Sequence, residues 1–345
     1  NETQYLQSLH FSMIKDESNM TWHTMPLPIV LSIDDDKKQA IEEAGKTGIK
    51  LIFDQKTIGM MTKIQIYPHR KEERVARKFS ISSTNHPVVK MIMDNGDWLI
   101  GGELTVFNKI TWDDGLDKYR LTPNEIKKRI QNEHHDAVFA FQLRNPIHNG
   151  HALLLKSTHE MLKKKGYRSP VLLLHPLGGY TKDDDVPLYH RIKQHEALLE
   201  DGVLDPEQTI MAIFPSPMSY AGPTEVLWHC RARMVCGAKY YIVGRDPAGL
   251  AHPERPECDL FDPTHGAKVL LNAPLLDNLE IVPFTVVAYN KTTKTMELFD
   301  PERKNEFEFI SGTKMRKLAR NQEQPPEGFM AAKAWQVISD YYRLK

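Results

Sequence analysis

The chain has 345 residues, with 45 Lys or Arg against 45 Asp or Glu, so its formal net charge is zero. That balance excludes a generally basic nucleic-acid or membrane-surface binder, while leaving room for a local positive pocket. Such a length buries a large core and predicts two domains.

Cys230, Cys236 and Cys258 show no CxxC spacing, so neither a disulfide framework nor a zinc knot is expected, and reduced, intracellular conditions are. No apolar run approaches the roughly 18 residues of a membrane span, and no signal peptide opens the chain. Cytosol is therefore the expectation, with nuclear entry open. A chain that opens on Asn1 predicts a missing upstream segment.

Residues 1–117 read as short strands and turns. "LPIVLSI", "IKLIF", "KIQIYP" and "WLIGGELTVFNKITW" alternate or cluster apolar residues between Gly, Asp and Asn breaks. "HRKEERVARKF" is the main helical interruption, and its charges predict a solvated helix laced with ion pairs. The expectation is a small, mostly β domain.

Residues 118–345 change rhythm. "HDAVFAFQL" is a continuous apolar strand of the kind buried on both faces of a parallel sheet. The helix "NGHALLLKSTHEMLKKKGY" follows, with Leu154, Leu155, Thr158, Met161 and Leu162 on one face and Gly166 as its stop. Strand "PVLLLHPLGG", strand "TIMAIFP", helix "TEVLWHCRARMVCGA", strand "YYIVGRD" and a further strand, "LEIVPFTVVAY", continue the alternation. This is the signature of a doubly wound α/β fold, closed by a small helical region over 311–345.

In such a sheet, ligands sit beyond the carboxyl ends of the strands. "QLRNPIHNGH", "HPLGGYTKDDD", "PSPMSYAGPTE" and "GRDPAG" each follow a strand and are predicted to share one rim. There Gln142, Arg144, Asn145, His148, Asn149 and His151 offer hydrogen bonds, Arg245 adds a guanidinium, and Gly244 and Gly249 let backbone amides approach a ligand.

His148 and His151 stand three apart at a helix start, beside its partial positive charge, so an anion, phosphate above all, is the expected guest. Gly150 would let a phosphate come close while the histidines stabilise a pentavalent phosphorus. The bland alternative is that the two histidines merely cap the helix. Zinc is a further rival, but no cysteine or carboxylate stands at the right spacing nearby.

"ISGTKMR" suggests a second anion site, with Ser311, Gly312 and Thr313 at a helix start and Lys314 and Arg316 within reach. "TKDDD" reads as a solvated loop or lid rather than a magnesium site. Arg231 and Arg233 are two apart on a helix and cannot face the same way. Neither a nucleophile elbow, a Walker A motif nor a dinucleotide fingerprint occurs. A rim rich in donors and poor in nucleophiles suggests direct transfer between two bound anions.

With those segments, "HRKEERVAR", "GDWLIGG", "EFEFISGTKMRKLAR" and "PPEGFMA", the chain resembles the ATP sulfurylase family along nearly its whole length. The resemblance is to the form found as the C-terminal half of animal bifunctional 3′-phosphoadenosine 5′-phosphosulfate synthases. It implies a PUA-like domain over 1–117 and an HxGH nucleotidyltransferase domain over 118–345. The implied reaction turns ATP and sulfate into adenosine 5′-phosphosulfate and pyrophosphate, with magnesium carried on ATP and no protein-bound metal.

By motif match, Gln142, Arg144, Arg245 and the backbone of Ala248 take sulfate. Arg144, Asn145, His148 and His151 form the catalytic set. ATP contacts run through Gln142, Leu143, Arg144, Asn145, His148 and His151, through Gly244, Arg245, Asp246, Pro247 and Ala248, and to the backbone around Val287.

Ile147 stands where the family usually has Val, Thr285 where Arg is expected and Val287 where Ala is usual. A homodimer is implied, with a fused adenylylsulfate kinase as partner. Two rivals remain: another HxGH nucleotidyltransferase acting on a phosphorylated metabolite, and a non-catalytic RNA-binding PUA-like protein.

Overall fold

The alternating stretches near the N-terminus pair into one antiparallel sheet. In this computed structural model every residue is described except Lys46, Arg245, Asp277, Phe284 and Ser311, together with the side chains of Pro283 and Thr313. In chain order the first elements are α1 (Glu2–Phe11), β1 (Met13–Lys15), β2 (Trp22–Thr24), β3 (Leu31–Ile33) and α2 (Asp35–Glu43). They continue with β4 (Gly48–Phe53), β5 (Lys56–Pro68), α3 (Lys71–Phe79), α4 (Pro87–Asp94) and β6 (Trp98–Val106).

The four-stranded sheet runs β3-β6-β5-β4. "KTIGMMT" joins "KIQIYP" in one long strand, β5, with a register shift between Thr62 and Gln65. Of these helices only α3 is expected from the sequence, as a charged, solvated helix. The other three helices are marked by their caps: Asn1 and Gln4 form a capping box at α1, Asp34 caps α2, and His86 with Pro87 starts α4. No residue of α2 is buried, which is why its sequence carries no apolar stripe. The charges of α3 pair locally, as Arg77 does with Glu73 at 3.2 Å, yet Val75 and Phe79 are buried.

The later elements are α5 (Pro123–Asn132), β7 (Ala137–Leu143), α6 (Asn149–Lys164), β8 (Pro170–Pro176), α7 (Leu188–Glu200) and β9 (Thr209–Met211). Next come α8 (Pro223–Val235), β10 (Tyr240–Val243), β11 (Ala251–His252), β12 (Arg255–Asp259) and α9 (His265–Leu270). The chain ends with β13 (Glu280–Pro283), β14 (Val287–Asn290), β15 (Thr295–Leu298), β16 (Phe307–Glu308), α10 (Gly312–Arg320) and α11 (Ala332–Leu344).

Two units result. One comprises Asn1–Gly115, Ser219–Arg231 and Asp246–Leu276, and the other Leu116–Met218, Ala232–Arg245 and Asp277–Lys345.

The second unit holds a five-stranded parallel sheet in the order β13-β10-β7-β8-β9. Its first strand, β7, is central, with the second and third on one side and the fourth and fifth on the other. That is a doubly wound order, whose switch point falls between β7 and β10. Every residue of β8, and all of β7 except Gln142, is buried, which explains the unbroken apolar runs. Helix α6 buries Leu154, Leu155, Thr158 and Leu162 as its pattern demands, and Gly166, at φ 99°, follows its end.

One expectation fails. "LEIVPFTVVAY" is not one strand: β13 joins the parallel sheet, while β14 pairs with β15 and β16 in a separate antiparallel sheet. A proline, which cannot donate to a ladder, closes β13.

Asp136 sets the β7–β8 register. Its carboxylate accepts from the amides of Arg168 at 2.7 Å and Ser169 at 2.9 Å. Asp136→Ala should lower unfolding stability by about 1–3 kcal/mol, the typical effect of orphaning such donors, read by urea denaturation.

Candidate active site

The loops after β7, β8 and β9 meet at the carboxyl edge of the sheet. Leu177 N donates to Leu143 O at 3.0 Å, Gly178 N to Phe214 O at 2.8 Å, Gly179 N to Ser216 O at 3.0 Å and Met218 N to Tyr180 O at 2.8 Å. A Cβ on Gly179 would lie 2.5 Å from Pro217 N, so this glycine serves loop-to-loop approach.

The start of α6 is built from its own histidines. His148 is the N-cap, and its Nδ1 accepts from Gly150 N at 3.1 Å and His151 N at 3.4 Å. In return His151 Nδ1 accepts from His148 N at 3.3 Å. This is a capping box made of two imidazoles.

The arrangement fixes chemistry. A neutral imidazole whose Nδ1 accepts must carry its proton on Nε2. Among the described residues, no partner engages Nε2 of either ring, so both keep an N–H for a ligand. Burial is what holds His148 well below the ordinary histidine value, with His151 adding to it, and burial also lowers His151 to about 4. Both rings are therefore neutral donors near neutral pH. They stack at 3.8 Å between centroids, and Phe329 also stacks on His148 at 5.1 Å.

Capping and ligand binding thus coexist, one on each ring nitrogen. The helix amides, however, are already engaged. Asn149 N donates to Phe329 O at 2.9 Å, and its side-chain amide donates to Gly328 O at 2.8 Å. Asn149 is a strap for the segment around Phe329 rather than a ligand donor. Gly150 also has a packing role: a Cβ there would lie 2.7 Å from Met296 Cε and 2.9 Å from His148 Cε1.

The cations are held by carboxylates. Arg144 Nη1 lies 3.9 Å from Asp185, whose side chain is buried, and Arg316 donates to Asp184 at 3.2 Å. "TKDDD" is accordingly not a solvated loop, because two of its carboxylates face guanidinium groups. Lys314 pairs with Glu308. Gly312 connects the two expected anion sites: a Cβ there would sit 3.3 Å from Arg316 Nη1 and 3.9 Å from Asn145 Oδ1. The loop between β7 and α6 therefore adjoins the start of α10.

Gln142 Oε1 is buried with no hydrogen-bond partner among the described residues, a polar atom that a ligand can satisfy. Leu143 is core, and its carbonyl serves Leu177. Gly244, after β10, has open space where a Cβ would go. Val287 opens β14, and Thr285 beside it is exposed. Arg245 and Ser311 lie outside the described residues.

In the first unit, Asp246 N donates to Pro263 O and Asp246 O accepts from Gly249 N. A Cβ on Gly249 would collide with the Asp246 carboxylate, so Gly249 accommodates Asp246. The buried Ala248 accepts from Gly222 N, and Pro247 packs near Gly266. Arg231 meets His23 at 3.2 Å, while Arg233 lies 3.9 Å from the Phe214 ring centre, so the two serve different neighbours. Sequence reading missed Phe329, distant in the chain, and Gln194, whose only signal was a polar residue in an amphipathic helix.

A family model described as ATP-sulfurylase matches residues 117–341, and one described as PUA-like domain matches 1–109. ATP sulfurylase 2 of Arabidopsis thaliana is 54% identical over 99% of this chain and 71% of the relative. Sulfate adenylyltransferase of Halothermothrix orenii is 29% identical over 97% of this chain and 84% of its own. A solved structure titled hexameric APS kinase from Thiobacillus denitrificans matches with a TM-score of 0.68 at 15% identity. It covers 99% of this chain, which spans 57% of that one, and at such identity it speaks for the fold alone.

The depressed histidines have a pH consequence. Between about 4 and the ordinary 6.5, the unfolded chain binds more protons at His151 than the folded one, so stability rises with pH and is lost as pH falls through that window. In denaturation at pH 7 and 4.5, the wild-type chain should lose on the order of 1–3 kcal/mol more than His151→Asn.

Proposed function

The chain belongs to the ATP sulfurylase family, and from that premise we propose that sulfate attacks the α-phosphorus of ATP directly, with no covalent enzyme adduct. Its activity is sulfate adenylylation: ATP and sulfate give adenosine 5′-phosphosulfate and pyrophosphate.

The observation that carries the direct route is the pair of neutral imidazoles whose Nε2–H groups remain for a ligand. Sulfate has no proton to lose near neutral pH and pyrophosphate needs none to leave, so the step requires donors and charge neutralisation rather than a general base. His148 and His151 donate to phosphate oxygens, and these bonds tighten as charge moves onto the leaving group. Arg144, Gln142 and Arg245 hold sulfate, and Asn145, beside Gly312, serves the phosphates. Ala248, Gly244, Asp246, Pro247, Leu143 and Val287 keep the nucleotide and sulfate contacts that the motif assigns. Magnesium arrives on ATP as part of the substrate, which suits a rim of imidazole and guanidinium groups.

The same reading places the domain boundary at 117/118, supported by family matches that end at 109 and begin at 117. It takes the chain as cytosolic and homodimeric. It hands the product to an adenylylsulfate kinase, fused to it as in the animal bifunctional synthases; motif resemblance supports the homodimer and the kinase.

The direct test is pyrophosphate release from ATP by the purified chain. Release should depend on sulfate or molybdate; release indifferent to both oxyanions would point to another HxGH nucleotidyltransferase. Arg245→Ala should abolish sulfate use while ATP affinity stays within severalfold, and full sulfate turnover in that variant would remove Arg245 from the site.

A further inference from the structure

The residue before the catalytic cap is held by a side chain that the motif does not contain. Ile147 is fully buried and belongs to neither strand nor helix, so its amide and carbonyl need partners from elsewhere. Gln194, fully buried on α7, supplies both: Ile147 N donates to Gln194 Oε1 at 3.1 Å, and Gln194 Nε2 donates to Ile147 O at 2.6 Å. The carboxamide thus pairs with both backbone groups of one residue, spanning two peptide units, as a neighbouring antiparallel strand would.

The Ile147 N–H and C=O fix which end of the amide is which, and His195 adds a donor at the oxygen end. Its Nδ1 stands 2.8 Å from Gln194 Oε1, an acceptor, so that nitrogen carries the proton. Burial is the main reason that His195 is lowered to about 3, with Arg191 and His151 adding to it, so the ring stays neutral and the donor stays in place.

We infer that Gln194 is a positioning residue for the adenylyl-transfer step, holding the Ile147 peptide and through it the orientation of His148. The chain of contacts is short. Gln194 fixes Ile147, and the next residue offers its N–H to His151 and its ring to two helix amides. A rotated Ile147 peptide turns the His148 Nε2–H away from the phosphate. The inference rests on the role proposed above for His148.

Gln194→Leu keeps the bulk and removes both hydrogen bonds. Gln194→Glu keeps the shape and makes the clamp titratable: a protonated acid both accepts from Ile147 N and donates to Ile147 O, whereas a carboxylate cannot donate. Burial raises the pKa of such a carboxyl, so this switch occurs above the usual carboxylate range.

The measurement is kcat and the KM for ATP, from sulfate-dependent pyrophosphate release, for wild type, Q194L, Q194E, H148A and the double variant H148A/Q194L. Expected are a loss of tenfold or more in kcat for Q194L with KM within about threefold, and a Q194E activity that recovers as pH is lowered while wild type does not. The double variant should be no slower than H148A, because Gln194 acts through His148. Wild-type kcat in Q194L, a Q194E profile parallel to wild type, or losses that multiply in the double variant would each sink the inference. Full turnover in H148A would overturn the role of His148 and this inference with it, whereas a dead H148A beside a normal Q194L overturns the inference alone. If Leu at 194 prevents folding, the Q194E profile decides.

Discussion

The site depends on one hydrogen-bonding choice: the Nδ1 atoms of His148 and His151 accept backbone amides. That choice selects a tautomer, and the tautomer decides that Nε2 carries the hydrogen. The same contacts cap α6, so the helix cannot form its first turn without aiming the rings. Stability and chemistry therefore draw on one geometry. A helix start whose amides were bare would offer an anion more donors, but its histidines would be free to rotate.

The fold supplies the place. Doubly wound order puts β7 and β10 side by side at the point where the chain reverses its direction of build, and loops diverge there. Pairing among the loops after β7, β8 and β9 gives that edge a rigid floor. Arginines partly buried at such a floor need counter-charge, which Asp184 and Asp185 provide. The guanidinium groups are held in position before any ligand arrives.

Much of this was legible from residues alone. The β7–loop–α6 segment announces itself because an unbroken apolar run must be followed by polar residues at the sheet edge. The histidine pair at the helix start declares an anion site for the same reason. Other features were hidden by long-range partnering. Nothing local in "RIKQHEALLE" says that Gln194 will meet a peptide 47 positions upstream, and the Phe329 contact joins segments far apart in sequence. "TKDDD" looked solvated because its cations lie elsewhere in the chain. Helices α1, α2 and α4 escaped because α2 buries nothing and the other two are short helices that bury only a pair of apolar residues each, Tyr5 with Leu9 and Val89 with Ile92. The break in "LEIVPFTVVAY" reflects a change of sheet that periodicity does not encode.

The interleaved course of the chain bears on how the molecule can be taken apart. It passes between the two units at 115/116, 218/219, 231/232, 245/246 and 276/277. In the first unit, Ala221 completes the cluster of Val75, Phe79, Val89 and Ile92, and the carbonyl of Tyr220 receives the His86 ring. A fragment stopping near residue 115 would carry that apolar nest with its cover missing. Dissection at a single peptide bond is thus the wrong tool here: the later loops are structural lumber for the earlier helices α3 and α4, and a genetic cut separates names without separating bodies.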